Sequence, residues 1–95
     1  MPEDLLFDWD SANVDHIASH RVTPAEAEQV MANDPVDLDF AIIGEEERWT
    51  AIGHTGRLRI LVIVWTVRDN AIRIVTAWEA PRTLHKTYLA RQGIS

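Results

Sequence analysis

Residues 48–80, RWTAIGHTGRLRILVIVWTVRDNAIRIVTAWEA, contain three runs rich in Val, Ile, Thr and Trp, broken only by short polar dipeptides. Runs of this composition are strands, and turn dipeptides this compact leave room only for antiparallel neighbours, so the segment commits the chain to an antiparallel sheet. Arginines stand at the ends of the runs, which sets cations at the sheet's margins. Residues 1–47 hold thirteen Asp and Glu against Arg21 alone, whereas residues 48–95 hold eight Arg and Lys against Asp69 and Glu79. The halves carry −12 and +6, and the net charge of −6 therefore hides a cationic second half that can meet a phosphate locally.

Ninety-five residues suffice for one small domain, with 46% hydrophobic content and four Trp for its core. The chain has no cysteine, which excludes disulfides and thiolate metal sites and suits a reducing compartment. The longest apolar run, residues 60–65, is far shorter than the roughly 20 residues of a membrane span. The acidic opening MPEDLLFDWD has neither the basic region nor the apolar stretch of a signal peptide, so a cytoplasmic protein is expected.

Leu5, Leu6, Phe7 and Trp9 predict a short first strand ending at Asp10, which caps a helix over residues 11–19 with Ala12, Val14, Ile17 and Ala18 turned inward. A second helix is marked by Thr23 as cap, Pro24 at its first position and Glu26 three residues after the cap, and it stops at Asn33-Asp34-Pro35. Residues 40–43, 47–53, 57–67 and 71–78 read as four further strands, with turns at Gly44-Glu45, Thr55-Gly56 and Asp69-Asn70. With the last two turns as two-residue loops, Arg48, Thr50, Ile52 and His54 share a face with Arg57, Arg59, Leu61, Ile63, Trp65, Ile72, Ile74, Thr76 and Trp78. Trp49, Ala51, Leu58, Ile60, Val62, Val64, Thr66, Arg73, Val75 and Ala77 take the other face, the better one for helix packing; a bulge in the long run would invert part of this. Pro81 opens a last helix with Leu84, Tyr88 and Leu89 as its stripe. The expected class is α+β: a short N-terminal strand and two helices, a mostly antiparallel sheet of about four strands, and a C-terminal helix, all one domain over residues 1–95.

With these elements in this order, the chain resembles the BrnT family, the toxin half of a bacterial type II toxin-antitoxin pair. Phe7, Trp9, Asp10, His20, Val22, Thr23, Glu26 and Ala27 answer to the family's opening phrase, with Asn13 at its usual lysine and Arg21 at its usual glycine. Glu46, Arg48, Ile52 and Gly53 match its middle phrase, and Val64, Thr66, Arg68, Ile72, Arg73, Ile74, Val75, Thr76, Ala77 and Ala80 its later one. An Arg-Lys pair usual after Ala77 is replaced by Trp78-Glu79. The resemblance implies a RelE-like fold and an endoribonuclease needing neither metal nor cofactor. It also implies a partner, an antitoxin with a ribbon-helix-helix type DNA-binding domain. The alternative is a member that has lost catalysis and persists as a protein- or RNA-binding module.

Cleavage of RNA at its 2′-hydroxyl needs a base, an acid and cations for the phosphorane charge. His20 is the expected acid or base, its competing role being to cap the first helix. Arg48, Arg68 and Arg73 are the phosphate candidates, because a guanidinium grips two oxygens and stays charged. Arg73 falls among apolar neighbours, where it either pairs with an acid of the first half or serves catalysis. Arg57, Arg59, Trp78, Arg82, Lys86 and Tyr88 are the expected RNA contacts, with Trp78, like Trp65, available to stack on bases or to pack in the core, and Tyr88 a general acid or a helix-packing ring. His16 and His85 are expected at the surface, and Glu45-Glu46-Glu47 is a solvated turn rather than a metal site, since consecutive strand residues point in alternating directions.

Overall fold

A computed structural model describes residues 5–92; residues 1–4 and 93–95, included in the domain expected from the sequence, lie outside the described residues. Three helices and a four-stranded antiparallel sheet make an α+β fold: α1 Ser11–Ala18, α2 Pro24–Ala32, β1 Val36–Ile43, β2 Glu46–His54, β3 Ile60–Arg68, β4 Ala71–Glu79 and α3 Arg82–Arg91. The sheet is a meander in the order β1-β2-β3-β4. The expected first strand is reduced to one bridge, Phe7 against Ile72 and parallel, held by Asp8 N–H to the Ile72 carbonyl and Ile72 N–H to the Leu6 carbonyl.

Both N-terminal helices start as their sequences dictate. Asp10 accepts from Asn13 N–H while Asn13 Oδ1 accepts from Asp10 N–H, and Thr23 with Glu26 makes the same reciprocal pair. The inward face of α1 differs from expectation, for Asn13 and Ile17 are buried whereas Ala12 and Ala18 are exposed. Asn13 Nδ2 donates to the carbonyls of Asp8 and Ile74, so the family's lysine position here fastens the N-terminal segment and the helix start to β4. The end of α1 is a Schellman motif: Val22 N–H donates to the Ile17 carbonyl, Arg21 N–H to that of Ala18, and Arg21 stands at φ 63°. That left-handed position explains the glycine usual there in the family.

The turns Gly44-Glu45 and Asp69-Asn70 form as two-residue loops, with φ of 66° at Gly44 and of 53° and 65° at Asp69 and Asn70. The third turn corrects the expected register. Residues 55–59 form a loop in which the Thr55 hydroxyl accepts from the N–H groups of Arg57 and Arg59 and Leu58 takes φ 61°, and β3 begins only at Ile60. Thr50 therefore faces Val64 and Ile52 faces Val62, an odd shift that moves β2 to the other face relative to β3. A bulge on β4 makes a second correction: Val64 pairs with Thr76 but Trp65 with Ile74, leaving Val75 unopposed. Ile74 and Ala77 consequently lie on one face, and Thr76 and Trp78 turn to the other.

Each face bears one apolar cluster. Ile17, Val22, Ala27 and Val30 of the α1 and α2 region pack on Leu61, Ile63, Ile74 and Ala77, with Phe7, Trp9, Met31, Trp65 and Ile72 at the margin. On the reverse face α3 seats Tyr88, Leu84 and Leu89 against Ile52, Ile60, Val62, Trp78 and Val36. α2 crosses β2 so closely that a Cβ on Gly53 would stand 2.8 Å from Val30 Cγ1, which fixes glycine there.

Two ion-pair groups tie the acidic half to the sheet. Arg59 Nη1 donates to both Glu26 carboxylate oxygens at 3.0 Å and to the Arg21 carbonyl at 2.7 Å, and its Nε reaches Glu79 at 3.3 Å. Arg73 reaches Asp8 at 3.4 Å and Asp10 at 3.1 Å, so the pairing of Arg73 with acids of the first half is present. The Arg73 guanidinium and the Asn13 N–H hold the Asp10 carboxyl below its ordinary range. At Glu26 burial pushes the value up, but the Thr23 N–H and Arg59 outweigh it and the net direction is down.

Replacing Arg21 by glycine should raise stability by about 1 kcal/mol, because the left-handed strain of a side chain is removed. The measurement is a thermal melt, in which Arg21→Gly should gain about 4–8 °C. Both lowered carboxyls favour the folded state while ionised, above their unfolded values near about pH 4, and this contribution disappears as pH falls through the folded values. Melting temperature should stay level from neutral pH to about 5 and drop below about 4, with a shallower drop in Asp10→Asn and Glu26→Gln.

Candidate functional site

Neither layer of helices reaches the end of the sheet that carries the two tight turns. On the α3 face this leaves a groove of about 360 Å³ lined by Glu46 and Arg48 of β2, Thr66 and Arg68 of β3, and Arg73, Ile74 and Val75 of β4, with Ala12, Asn13 and His16 of α1 closing its side. The register builds it: Thr66 pairs with Arg73, and Arg48 stands two residues from Glu46 on the same face of β2. Arg48, Arg68 and Arg73, spread over 26 residues of sequence, thus meet in one place.

The three guanidiniums differ in availability. Arg73 is clamped by Asp8 and Asp10, and its side chain is only 13% exposed. Arg48 lies 3.6 Å from Glu46, a loose pair, and its buried Nε has no partner. Arg68 is exposed and makes no ion pair among the described residues. Thr66 is fixed by donating to the Glu47 carbonyl at 2.7 Å.

The imidazole in the groove is that of His16. Its Nε2 lies 3.0 Å from Thr76 Oγ1, a contact that exists because the Val75 bulge turns Thr76 towards α1. His20, the residue singled out from the sequence, is one helical turn further on and does not line the groove, although its ring packs edge-on to His16 with centroids 5.3 Å apart. A signal for His16 was present in its spacing: three residues after Asn13, it shares the helix flank that overhangs β4.

The other expected RNA contacts are scattered. Arg57 and Arg59 belong to a depression at the opposite end of the sheet with Thr23, Glu26, Gln29 and Thr55, and Arg59 is held there by two carboxylates. Trp78 is half-buried against α3, and Tyr88 is buried with its hydroxyl value pushed up, by burial first and then by the Asp34 charge. Arg82 and Lys86 are exposed on α3. Among the described residues no three His, Asp or Glu side chains converge as a metal would require, and no helix is long and apolar enough to cross a membrane.

No curated protein matches the chain. A family model described as ribonuclease toxin, BrnT, of type II toxin-antitoxin system matches residues 9–83, a span that takes in α1, the whole sheet and every residue of the groove. The chain belongs to the BrnT family of ribonuclease toxins of type II toxin-antitoxin systems.

Proposed function

We propose that the groove cleaves RNA without a metal, by attack of a ribose 2′-hydroxyl on the adjacent phosphorus. The observation that supports this is the convergence of Arg48, Arg68, Arg73 and His16 on one groove. Arg68 and Arg48 take the non-bridging phosphate oxygens, where two guanidiniums offset the charge that grows in the phosphorane. The Glu46 carboxylate accepts the 2′-hydroxyl proton, and His16, as the acid, gives a proton to the leaving 5′-oxygen. The products are a 2′,3′-cyclic phosphate and a 5′-hydroxyl, with one proton taken and one returned. Arg73 positions the site by holding the N-terminal segment and the start of α1 against β4. The protein acts in the cytoplasm, and its antitoxin partner carries a ribbon-helix-helix type DNA-binding domain.

A second reading has a specific observation behind it. Arg73 is neutralised by two carboxylates and Glu46 stands inside the groove, so the local positive charge is small, as in a member that has lost cleavage and keeps weak binding of RNA or protein.

Cleavage of a labelled single-stranded RNA separates the two. His16→Ala should lower kcat by about 10²-fold or more while the melt is unchanged, and His20→Ala should change it by less than about threefold. Arg68→Ala should lower kcat/KM at least about tenfold and reduce the salt slope of RNA binding by about one. Intact protein that binds RNA and leaves it uncut establishes the lapsed binding module, and a fully active His16→Ala removes His16 from the chemistry.

A further inference from the structure

The face that carries α1 and α2 is also uncovered at the turn end, and there it is apolar. Phe40, Ile42 and Val67 are 48%, 62% and 52% exposed, and Phe40, Trp49 and Trp65 form a ladder with ring centroids 5.5 and 6.0 Å apart across three strands. β1 is the outer strand of the sheet at this side, paired only with β2, so the far edge of its backbone has no partner among the described residues. An exposed strand of this kind is a template for one more strand, and its side chains set which one.

We infer that β1 and the Phe40–Trp49–Trp65 ladder form a docking surface for an extended protein segment that alternates apolar and basic side chains and adds to β1 as a fifth strand. The apolar alternation follows from Phe40 and Ile42, which lie on the ladder's face. The basic side chains follow from charge: Asp39 is on the reverse face of the strand, Asp37 is on the ladder's face beyond a bulge at Leu38, and Glu45 and Glu47 border the strand beside Trp49 and Val67 in a hollow that Arg68 also lines. The same acids turn away RNA, and they disfavour a second copy, since pairing β1 with itself would gather Asp37 and Asp39 of both copies along one seam. On the toxin reading this segment belongs to the antitoxin, held by a ladder on the face opposite the arginine groove, and only that attribution rests on the reading.

The probe is a synthetic peptide of about eight residues alternating Val and Lys, with a Val and Glu peptide as control, each added to the full chain. Hydrogen exchange of the β1 amides and tryptophan fluorescence report binding. The Val-Lys peptide should slow exchange in β1 and shift the fluorescence, the Val-Glu peptide should bind at least about tenfold more weakly, and Ile42→Lys or Asp39→Lys should weaken the Val-Lys peptide at least about tenfold. Both substitutions are at exposed positions and a thermal melt verifies the fold. His16→Ala should leave peptide binding unchanged, so an inactive groove does not remove the docking surface. Equal binding of both peptides, protection elsewhere than β1, a dimer in sedimentation that Ile42→Lys dissolves, or RNA binding that Ile42→Lys abolishes would each overturn the proposal.

Discussion

The extra residue at Val75 governs the placement of almost everything around it. Without it, strand alternation would put Ile74 and Ala77 on opposite faces, and the cluster under α1 would lose one of them. With it, both are fully buried beneath Ile17, where a buried isoleucine contributes about 1.5–3 kcal/mol and an alanine methyl about 0.8 kcal/mol. The same insertion turns Thr76 outward to meet His16, and it leaves Arg73 on the groove side within reach of Asp8 and Asp10. The apolar core and the polar groove therefore share one irregularity in the backbone. Asn13 seals the junction, its amide donating to carbonyls on both sides of it.

The unequal charge of the two halves of the sequence is resolved by pairing across them. Arg59 is satisfied by Glu26 and Glu79, and Arg73 by Asp8 and Asp10, so two cations of the sheet are spent on holding α2 and the N-terminal segment in place. What is left near the turn end is Arg68, with Arg48 only loosely attached to Glu46. Four further acids of the first half, Asp37, Asp39, Glu45 and Glu47, gather around β1. The molecule thus presents a cationic groove on one face and an acidic apolar margin on the other. These attract ligands of opposite charge.

Features set by neighbours in sequence were legible in it, and features set by distant contacts were not. Asp10, Thr23 and Glu26 act as caps because a cap involves only the next three residues, and Asp69-Asn70 turns the chain because both residues tolerate positive φ. The Thr55 to Arg59 loop escaped because Thr-Gly is as plausible a two-residue turn as any. What lengthened it was the Thr55 hydroxyl gathering two backbone N–H groups, with Leu58 carried into left-handed conformation. That lengthening reversed the faces of β2. Arg48, Arg68 and Arg73 were legible as a set by their residue type, whereas the choice between His16 and His20 depended on how α1 lies along β4.

The departure from the family at Trp78-Glu79 takes a different meaning once the fold is known. These residues close β4 at the end away from the groove, where Trp78 packs with Ile52, Val62 and Tyr88 and Glu79 engages Arg59. A basic pair there would set one cation beside Arg59 and force the other into the α3 cluster, which costs far more than a surface pair returns. The substitution is coherent as a unit: the carboxylate completes the bracket around Arg59, and the indole fills the space beside α3. Loss of the family's basic pair is therefore compensated within the fold. The cations that line the groove are those of β2, β3 and the turn-proximal part of β4.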